Sequence, residues 1–443
     1  MTHEGPGPVE LLSGAVRSGR VSARRVTQAT LDRIALHDGH LKAFVSVEAG
    51  SALLQAETLD KARPDLPLAG VPVAVKDIID VQGVPTRSGS RAMDYAPPAQ
   101  RDAEIVARLR AAGAIIIGKT KTTELATMDP TDTVNPYDPA CTPGGSSSGS
   151  GAAVGAGLVP VALGTQTAGS LCRPAAYCGA AAFKPTHNRI PLTGITPLAP
   201  SFDTVGPIAR TQRDCAQVMS ALGIKPLAAV LDGAAIAAPD ADLWYPDADK
   251  SMLAYLAKVR ARFVANGASL TTIPPLFDGP AILADHRTVM AREAWNAHHE
   301  LYRKSSALMG PNIAKLLAEG SEVSDAAADD ARARLATAAT RVWSSLASFD
   351  ACLLLPVPAA APRGHGTTGD ASCLTPWSSF LGPLATLAGS IGPDGLPLAA
   401  MLASAPGTDE RLLGLALAAE AVTNELPAAA PAFGRPAIEE LLQ

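Results

Sequence analysis

The chain has 443 residues, 47% hydrophobic and 18% charged, enough to bury a large core, and with only 4% aromatics that core must be close-packed from small aliphatic side chains. A net charge of −5 without a basic cluster excludes nucleic acid as a partner, and apolar runs as short as Leu353-Leu354-Leu355 exclude a membrane span. Six scattered cysteines with no C-x-x-C pair exclude a disulfide scaffold, and eight histidines with no H-E-x-x-H pattern give no reason to expect a metal.

The start, Met1-Thr2-His3-Glu4-Gly5-Pro6, lacks the basic and apolar regions of a signal peptide, so a reduced, cytoplasmic protein is expected. Residues 8–37 carry apolar side chains at helical spacing, with Ser22 as an N-cap for the second half. The stretch Leu68 to Asp80 reads as an apolar strand that runs through Lys76 and continues. A lysine there is either buried, which lowers its pKa and makes it a base, or paired at the surface with Asp77 or Asp80. Residues 102–112 read as helix. Gly113 to Thr120 then matches the phosphate-loop pattern G-x-x-x-x-G-K-[ST], but Ala and three isoleucines fill its variable positions. Such residues pair as a strand and do not wrap a phosphate.

A proline-broken loop, residues 121–143, leads into Gly144-Gly145-Ser146-Ser147-Ser148-Gly149. Small apolar residues from Ser150 to Leu163 suit a buried helix running into a strand, and a second hydroxyl-rich turn follows, Gly164-Thr165-Gln166-Thr167-Ala168-Gly169-Ser170. Two such turns joined by a packed helix gather hydroxyls and free N–H groups at one place, as a serine nucleophile with an oxyanion hole requires. A flexible linker would lack the apolar run between them, and a phosphate cradle would want a lysine that this stretch does not have. Further on, Thr211 to Asp214 starts a helix, 250–346 is mostly helical, with His298-His299 expected at the surface, and a last α/β segment ends in a helix at 409–423. Alternating strands and helices predict an α/β fold, a large mixed sheet covered on both faces by helices.

Val-Ala-Val-Lys76-Asp, Gly-Gly-Ser146-Ser-Ser-Gly and Gly-Thr-Gln-Thr-Ala-Gly-Ser170 together resemble the amidase signature family of serine hydrolases. Gly-Lys-Thr at 118–120, Phe-Lys-Pro-Thr at 183–186, Asp-Thr-Val-Gly-Pro at 203–207 and Gly-Leu-Pro-Leu at 395–398 resemble its other landmarks in order. The resemblance implies the amidase-signature fold over 1–443 as one domain: a helical N-terminal segment at about 8–40, a core at about 60–220, a helical insertion at about 250–346 and an α/β segment at about 350–443. It implies Ser170 as nucleophile, Ser146 after a cis peptide as bridging serine, Lys76 as base, and the N–H groups of Thr167, Ala168, Gly169 and Ser170 as oxyanion hole, with no metal or cofactor. It also implies that the 126–138 loop and the segment Thr375 to Phe380 line the substrate pocket, with Ala126, Thr127, Met128 and Trp377 as candidate walls.

The chemistry stands without the resemblance. A serine hydroxyl needs a base to attack an amide. None of the three motifs contains a histidine, so lysine is the available base. Three positions depart from the family pattern. Gln166 and Ala168 stand where the family commonly has Asp and Gly, and Arg173 follows the nucleophile by three residues and not two, so the usual Asp–Arg pair is absent or rebuilt around Gln166. No charged residue stands out as a carboxylate anchor, which points to small neutral amides, aryl amides or carbamates as substrates of a monomer or homodimer. The alternatives are the glutaminase-type subunit of an amidotransferase and a catalytically inactive binding module.

Overall fold

The computed structural model describes residues 7–62, 65–427 and 430–434. In chain order its strands are β1 (Phe44–Val47), β2 (Pro72–Lys76), β3 (Ile115–Thr120), β4 (Val161–Gln166), β5 (Ala181–Lys184), β6 (Thr204–Ala209), β7 (Ala235–Pro239), β8 (Ser269–Ile273), β9 (Ala351–Leu354), β10 (Leu384–Ile391) and β11 (Pro397–Ala403). They form one 11-stranded mixed sheet in the order β1-β3-β2-β4-β6-β5-β10-β11-β9-β7-β8. In β2, β3 and β4 every residue is buried, without the alternation of a half-exposed strand, so helices and loops cover both faces. Each buried Val, Ile or Leu side chain stabilises the fold by about 1.5–3 kcal/mol.

β2 pairs parallel with both β3 and β4, so the carboxyl ends of these three neighbours open on one edge. Ligands of α/β sheets bind at such an edge. Lys76 ends β2, Thr165 and Gln166 end β4, and Thr120 ends β3. Gly113 to Thr120 is thus the turn and strand expected of it, and not a phosphate loop. The strand through Lys76 does not continue, because the chain turns at Asp77–Ile79.

Three other readings are amended. The N-terminal helix is two, Pro8–Arg17 and Ala23–Leu41, divided where Gly19 takes a φ of 75° and Ser22 caps the second by accepting from Arg25 N–H. The helical region after residue 250 contains β8, an edge strand whose mostly polar, solvent-facing residues hide it from hydropathy. Its helices are Lys250–Ala265, Gly279–Ser305, Pro311–Glu322 and Asp325–Ser345. His298 is buried, its Nε2 within 2.7 Å of the Pro197 carbonyl, because its side of the Gly279–Ser305 helix faces the protein. The helix Asp409–Thr423 lies where the sequence reading put it.

The loop after β3 is tied to the helical region. Glu124 accepts from Ser90 Oγ at 2.5 Å and from Gly310 N–H at 2.6 Å. The Asp129 carboxylate accepts from the N–H groups of Asn312 and Ile313 at 3.0 and 2.9 Å, so it caps the Pro311–Glu322 helix from outside. Among the described residues no helix is long and apolar enough to cross a membrane.

Candidate active site

The serine-rich run forms the helix Ser148–Gly155, buried along its whole length and built from small residues because backbone passes close on every side. A Cβ on Gly149 would lie 2.1 Å from the Ala43 carbonyl oxygen, so no larger residue fits there. Ahead of the helix, Gly144 takes a φ of 83° and the Gly145–Ser146 peptide is cis. The Ser146 carbonyl accepts from Thr123 N–H at 3.1 Å, and Ser147 N–H donates to the Ser170 carbonyl at 3.2 Å, which draws the two glycine-rich turns together.

Lys76 meets them from the end of β2. It is 0% exposed, with Nζ 2.6 Å from Ser146 Oγ and 2.8 Å from Thr165 Oγ1. Among the described residues no carboxylate pairs with it. Asp77 turns away to Lys119 Nζ at 2.9 Å, and Asp80 accepts from Thr86 Oγ1 at 2.7 Å, which closes the surface-pair reading. Burial holds the Lys76 amine well below its ordinary value; the Asp203 carboxylate pulls upward and the Arg173 guanidinium adds to the lowering. Ser170 is 7% exposed, and its hydroxyl makes no hydrogen bond among the described residues. The Lys76–Ser146 contact is therefore closed, while Ser170 Oγ is free and not bonded to Ser146.

The N–H groups of Thr167, Ala168, Gly169 and Ser170 likewise donate to no acceptor among the described residues. Four unpartnered donors beside an accessible hydroxyl are what an oxyanion would use. The Thr167 hydroxyl donates to Asp203 at 2.5 Å, and the other Asp203 oxygen accepts from Leu198 and Ala199 N–H at 2.8 and 3.0 Å. Burial pushes the Asp203 carboxyl up, against these three donors.

The Asp–Arg pair is absent. Arg173, fully buried, donates through Nε and Nη2 to the Gly145 carbonyl at 3.2 and 2.7 Å and through Nη1 to the Gly369 carbonyl at 2.7 Å. Its guanidinium thus holds the peptide that precedes Ser146. Gln166 serves the next helix, where its Oε1 accepts from Leu171 and Cys172 N–H at 3.0 and 2.9 Å.

A cleft of about 150 Å³ borders the site through Thr165 and Thr167; Ile78, Ala126, Leu192, Ile195 and Leu198 line it, and Asp203 is the carboxylate on its wall. A larger cavity, about 370 Å³, is lined by Arg91, Lys121, Glu124 and Asp132 among others and contains none of Lys76, Ser146 or Ser170. Of the four candidate walls, Ala126 lines the smaller cleft, in the left-handed region at a φ of 61°. Thr127 is buried and donates to the Glu124 carbonyl at 2.6 Å, and Met128 is 46% exposed on the loop. Trp377 is no wall. It is 1% exposed and packs among Trp244, Phe277, Trp343 and Phe380, since so large an apolar ring gains most in the core.

Thr165 and Asp203 escaped the sequence reading as site residues, although both lie in motifs it singled out. The pairing of β2 with β4 is the signal that could have found Thr165, since it sets the two strand ends side by side. Among the described residues no cluster of three His, Cys, Asp or Glu side chains could hold a metal ion.

Residues 25–225 match the family model described as Amidase. Among curated proteins, a glutamyl-tRNA(Gln) amidotransferase subunit from Chromohalobacter salexigens is 44% identical over 221 residues, 48% of this chain and 45% of that protein. Its counterpart from Thermus thermophilus is 45% identical over 220 residues, again 48% and 45% of the two chains. The chain thus spans less than half the length of the curated relatives it matches. Among solved structures, native peptide amidase from Stenotrophomonas maltophilia superposes with a TM-score of 0.80 at 26% identity, over 97% of this chain and 99% of that one. An inhibitor-bound complex described as revealing the origins of an s-triazine catabolic enzyme gives 0.85 at 26%, over 94% and 99%. A bacterial aryl acylamidase gives 0.82 at 23%, over 94% and 96%, a likeness of fold.

Proposed function

We propose that the chain is an amidase signature enzyme, a reading its match over residues 25–225 supports, and that it hydrolyses amide-like C–N bonds of small neutral compounds, aryl amides and carbamates included, through Ser170, Ser146 and Lys76. The observation that carries this reading is Lys76: a buried amine with no carboxylate partner among the described residues, 2.6 Å from Ser146 Oγ and beside a turn with four free N–H groups. Ser170 Oγ attacks the carbonyl carbon, and the charge gathering on oxygen meets the N–H groups of Thr167 to Ser170. The Ser170 proton passes to Ser146 Oγ, and the Ser146 proton passes to neutral Lys76. This requires Ser170 Oγ to close on Ser146 Oγ once substrate is bound; such contacts often tighten only in the complex. The path run backward protonates the leaving amine, the C–N bond breaks, and water then hydrolyses the acyl-enzyme by the same relay.

The neutral substrate class is supported by the 150 Å³ cleft, whose aliphatic walls hold no unsatisfied charge, because three donors already occupy the Asp203 carboxylate. An apolar cavity of about this volume accepts one aromatic ring. A substrate carrying a carboxylate is expected to show kcat/KM at least about a hundredfold below its neutral amide isostere, from the cost of desolvating a charge. Ile195→Ala is expected to favour a bulkier branch by roughly tenfold, the worth of a methylene or two. Steady-state rates on a matched substrate panel check both; equal rates for acid and amide would remove the neutral-substrate assignment.

The names of the curated relatives favour a second reading, a glutaminase-type subunit of an amidotransferase. The isolated chain decides between them. Turnover of aryl amides without partners supports the first reading. Ammonia release from glutamine only when partner subunits are added supports the second.

A further inference from the structure

Gln166 is a neutral, buried residue of the second glycine-rich turn, and one of its hydrogen bonds runs to a serine of the distant segment Thr375 to Phe380. It is 0% exposed, and Ser378, on the short helix Thr375–Ser379, is 2% exposed. The N–H groups of Leu171 and Cys172 need an acceptor, which fixes the Gln166 oxygen toward them and its Nε2 toward Ser378 Oγ at 3.0 Å. An amide nitrogen only donates, so Ser378 Oγ accepts from it. The single Ser378 proton then goes to the Ala168 carbonyl, which it contacts. In a trans peptide the carbonyl and the following N–H point in opposite directions. With the Ala168 carbonyl held toward Ser378, the Gly169 N–H is turned the other way, and it has no acceptor among the described residues.

We propose that Gln166 and Ser378 are positioning residues that aim the Gly169 N–H at the oxyanion, a proposal that rests on the reading of Ser170 as nucleophile. The helix that presents Ser378 is anchored from behind. Trp377 is wedged in its aromatic cluster, and the neighbouring Ser379 Oγ lies 2.9 Å from His286 Nδ1 and donates to the Thr375 carbonyl at 2.8 Å. Trp377, which does not touch the cleft, thereby serves the site by fixing Ser378. The arrangement also gives a reason for an amide at position 166. A carboxylate there still accepts from Leu171 and Cys172, but it has no proton to give Ser378. The Ser378 proton would turn to the carboxylate and release the Ala168 carbonyl.

The test uses the intact protein and a fluorophosphonate, which needs no known substrate: Ser170 Oγ bonds to phosphorus, fluoride leaves, and the phosphoryl oxygen takes up charge where a carbonyl oxygen would. Labelling rates of Ser170, read by mass spectrometry, are expected to fall about ten- to a hundredfold in Ser378→Ala and in Gln166→Glu, short of the loss of a whole oxyanion donor. On an aryl amide, kcat falls with them while KM stays within about twofold. For Gln166→Glu the rate relative to wild type rises as pH is lowered, because the protonated carboxyl donates to Ser378 again; a merely structural role would not produce that trend. Gln166→Glu keeps both helix caps and serves as the test should Ser378→Ala fail to fold. Labelling of Gln166→Glu within twofold of wild type at all pH values would overturn the proposal and leave Ser170 as nucleophile. Equal labelling of wild type and Ser170→Ala would overturn both.

Discussion

Ser170→Ala is expected to fold as the parent does and to lose kcat/KM by at least about a thousandfold on any substrate, roughly 4 kcal/mol of barrier, with no acyl-enzyme trapped at any pH. The fold should tolerate the change, because Ser170 Oγ makes no hydrogen bond among the described residues and is 7% exposed. What holds that turn is backbone and neighbour: Ser147 N–H on the Ser170 carbonyl, Gln166 on the N–H groups that follow. Mass spectrometry of the labelled protein beside a thermal melt checks it. Turnover within tenfold of wild type would mean the nucleophile lies elsewhere.

Lys76→Ala is expected to cost about two to four orders of magnitude in acylation, the usual worth of a general base, since Ser146 then has nowhere to send its proton. Lys76→Arg fails too, because a guanidinium stays charged. Burial lowers the Lys76 amine, so in wild type the active neutral form grows as pH rises and kcat/KM climbs through the lowered value before levelling. That rising limb should vanish in Lys76→Ala, and its survival would name another base. Stability carries the same signature. Between the lowered folded value and the ordinary 10.5, the unfolded chain binds a proton at residue 76 that the folded chain does not. Stability from this group therefore rises with pH across that window and is least below it. Lys76→Met should flatten the slope in denaturant titrations run at several pH values.

Much of this was legible in the sequence for a physical reason. A strand as apolar as Pro72 to Val75 that ends in lysine is buried on both faces, and a glycine-rich run followed by small apolar residues becomes a packed helix. The helix at Asp409–Thr423 announces itself by its spacing. What the sequence hid was pairing at long range. Nothing near Asp77 says that its partner is Lys119, or that Arg173 grips the Gly145 carbonyl, or that Gln166 reaches 212 residues to Ser378. Charge and hydrogen-bonding capacity are properties of a residue, but partners belong to the fold. Trp377 shows the same limit: an aromatic ring suits a ligand wall and a core equally, and its packing among other rings is a property of the fold.

The ties made by Glu124 and Asp129 have a thermodynamic corollary. Ala126 borders the cleft, yet its loop also supplies the carboxylates that receive the N–H groups of Gly310, Asn312 and Ile313. These bonds couple the loop to the first turn of the Pro311–Glu322 helix, so a ligand that stabilises the loop is expected to stabilise that turn by the coupling free energy between them. Amide hydrogens at 312 and 313 become remote reporters of the cleft. Their exchange should slow when an inhibitor occupies it, and Asp129→Asn should weaken that response while leaving Lys76, Ser146 and Ser170 in place.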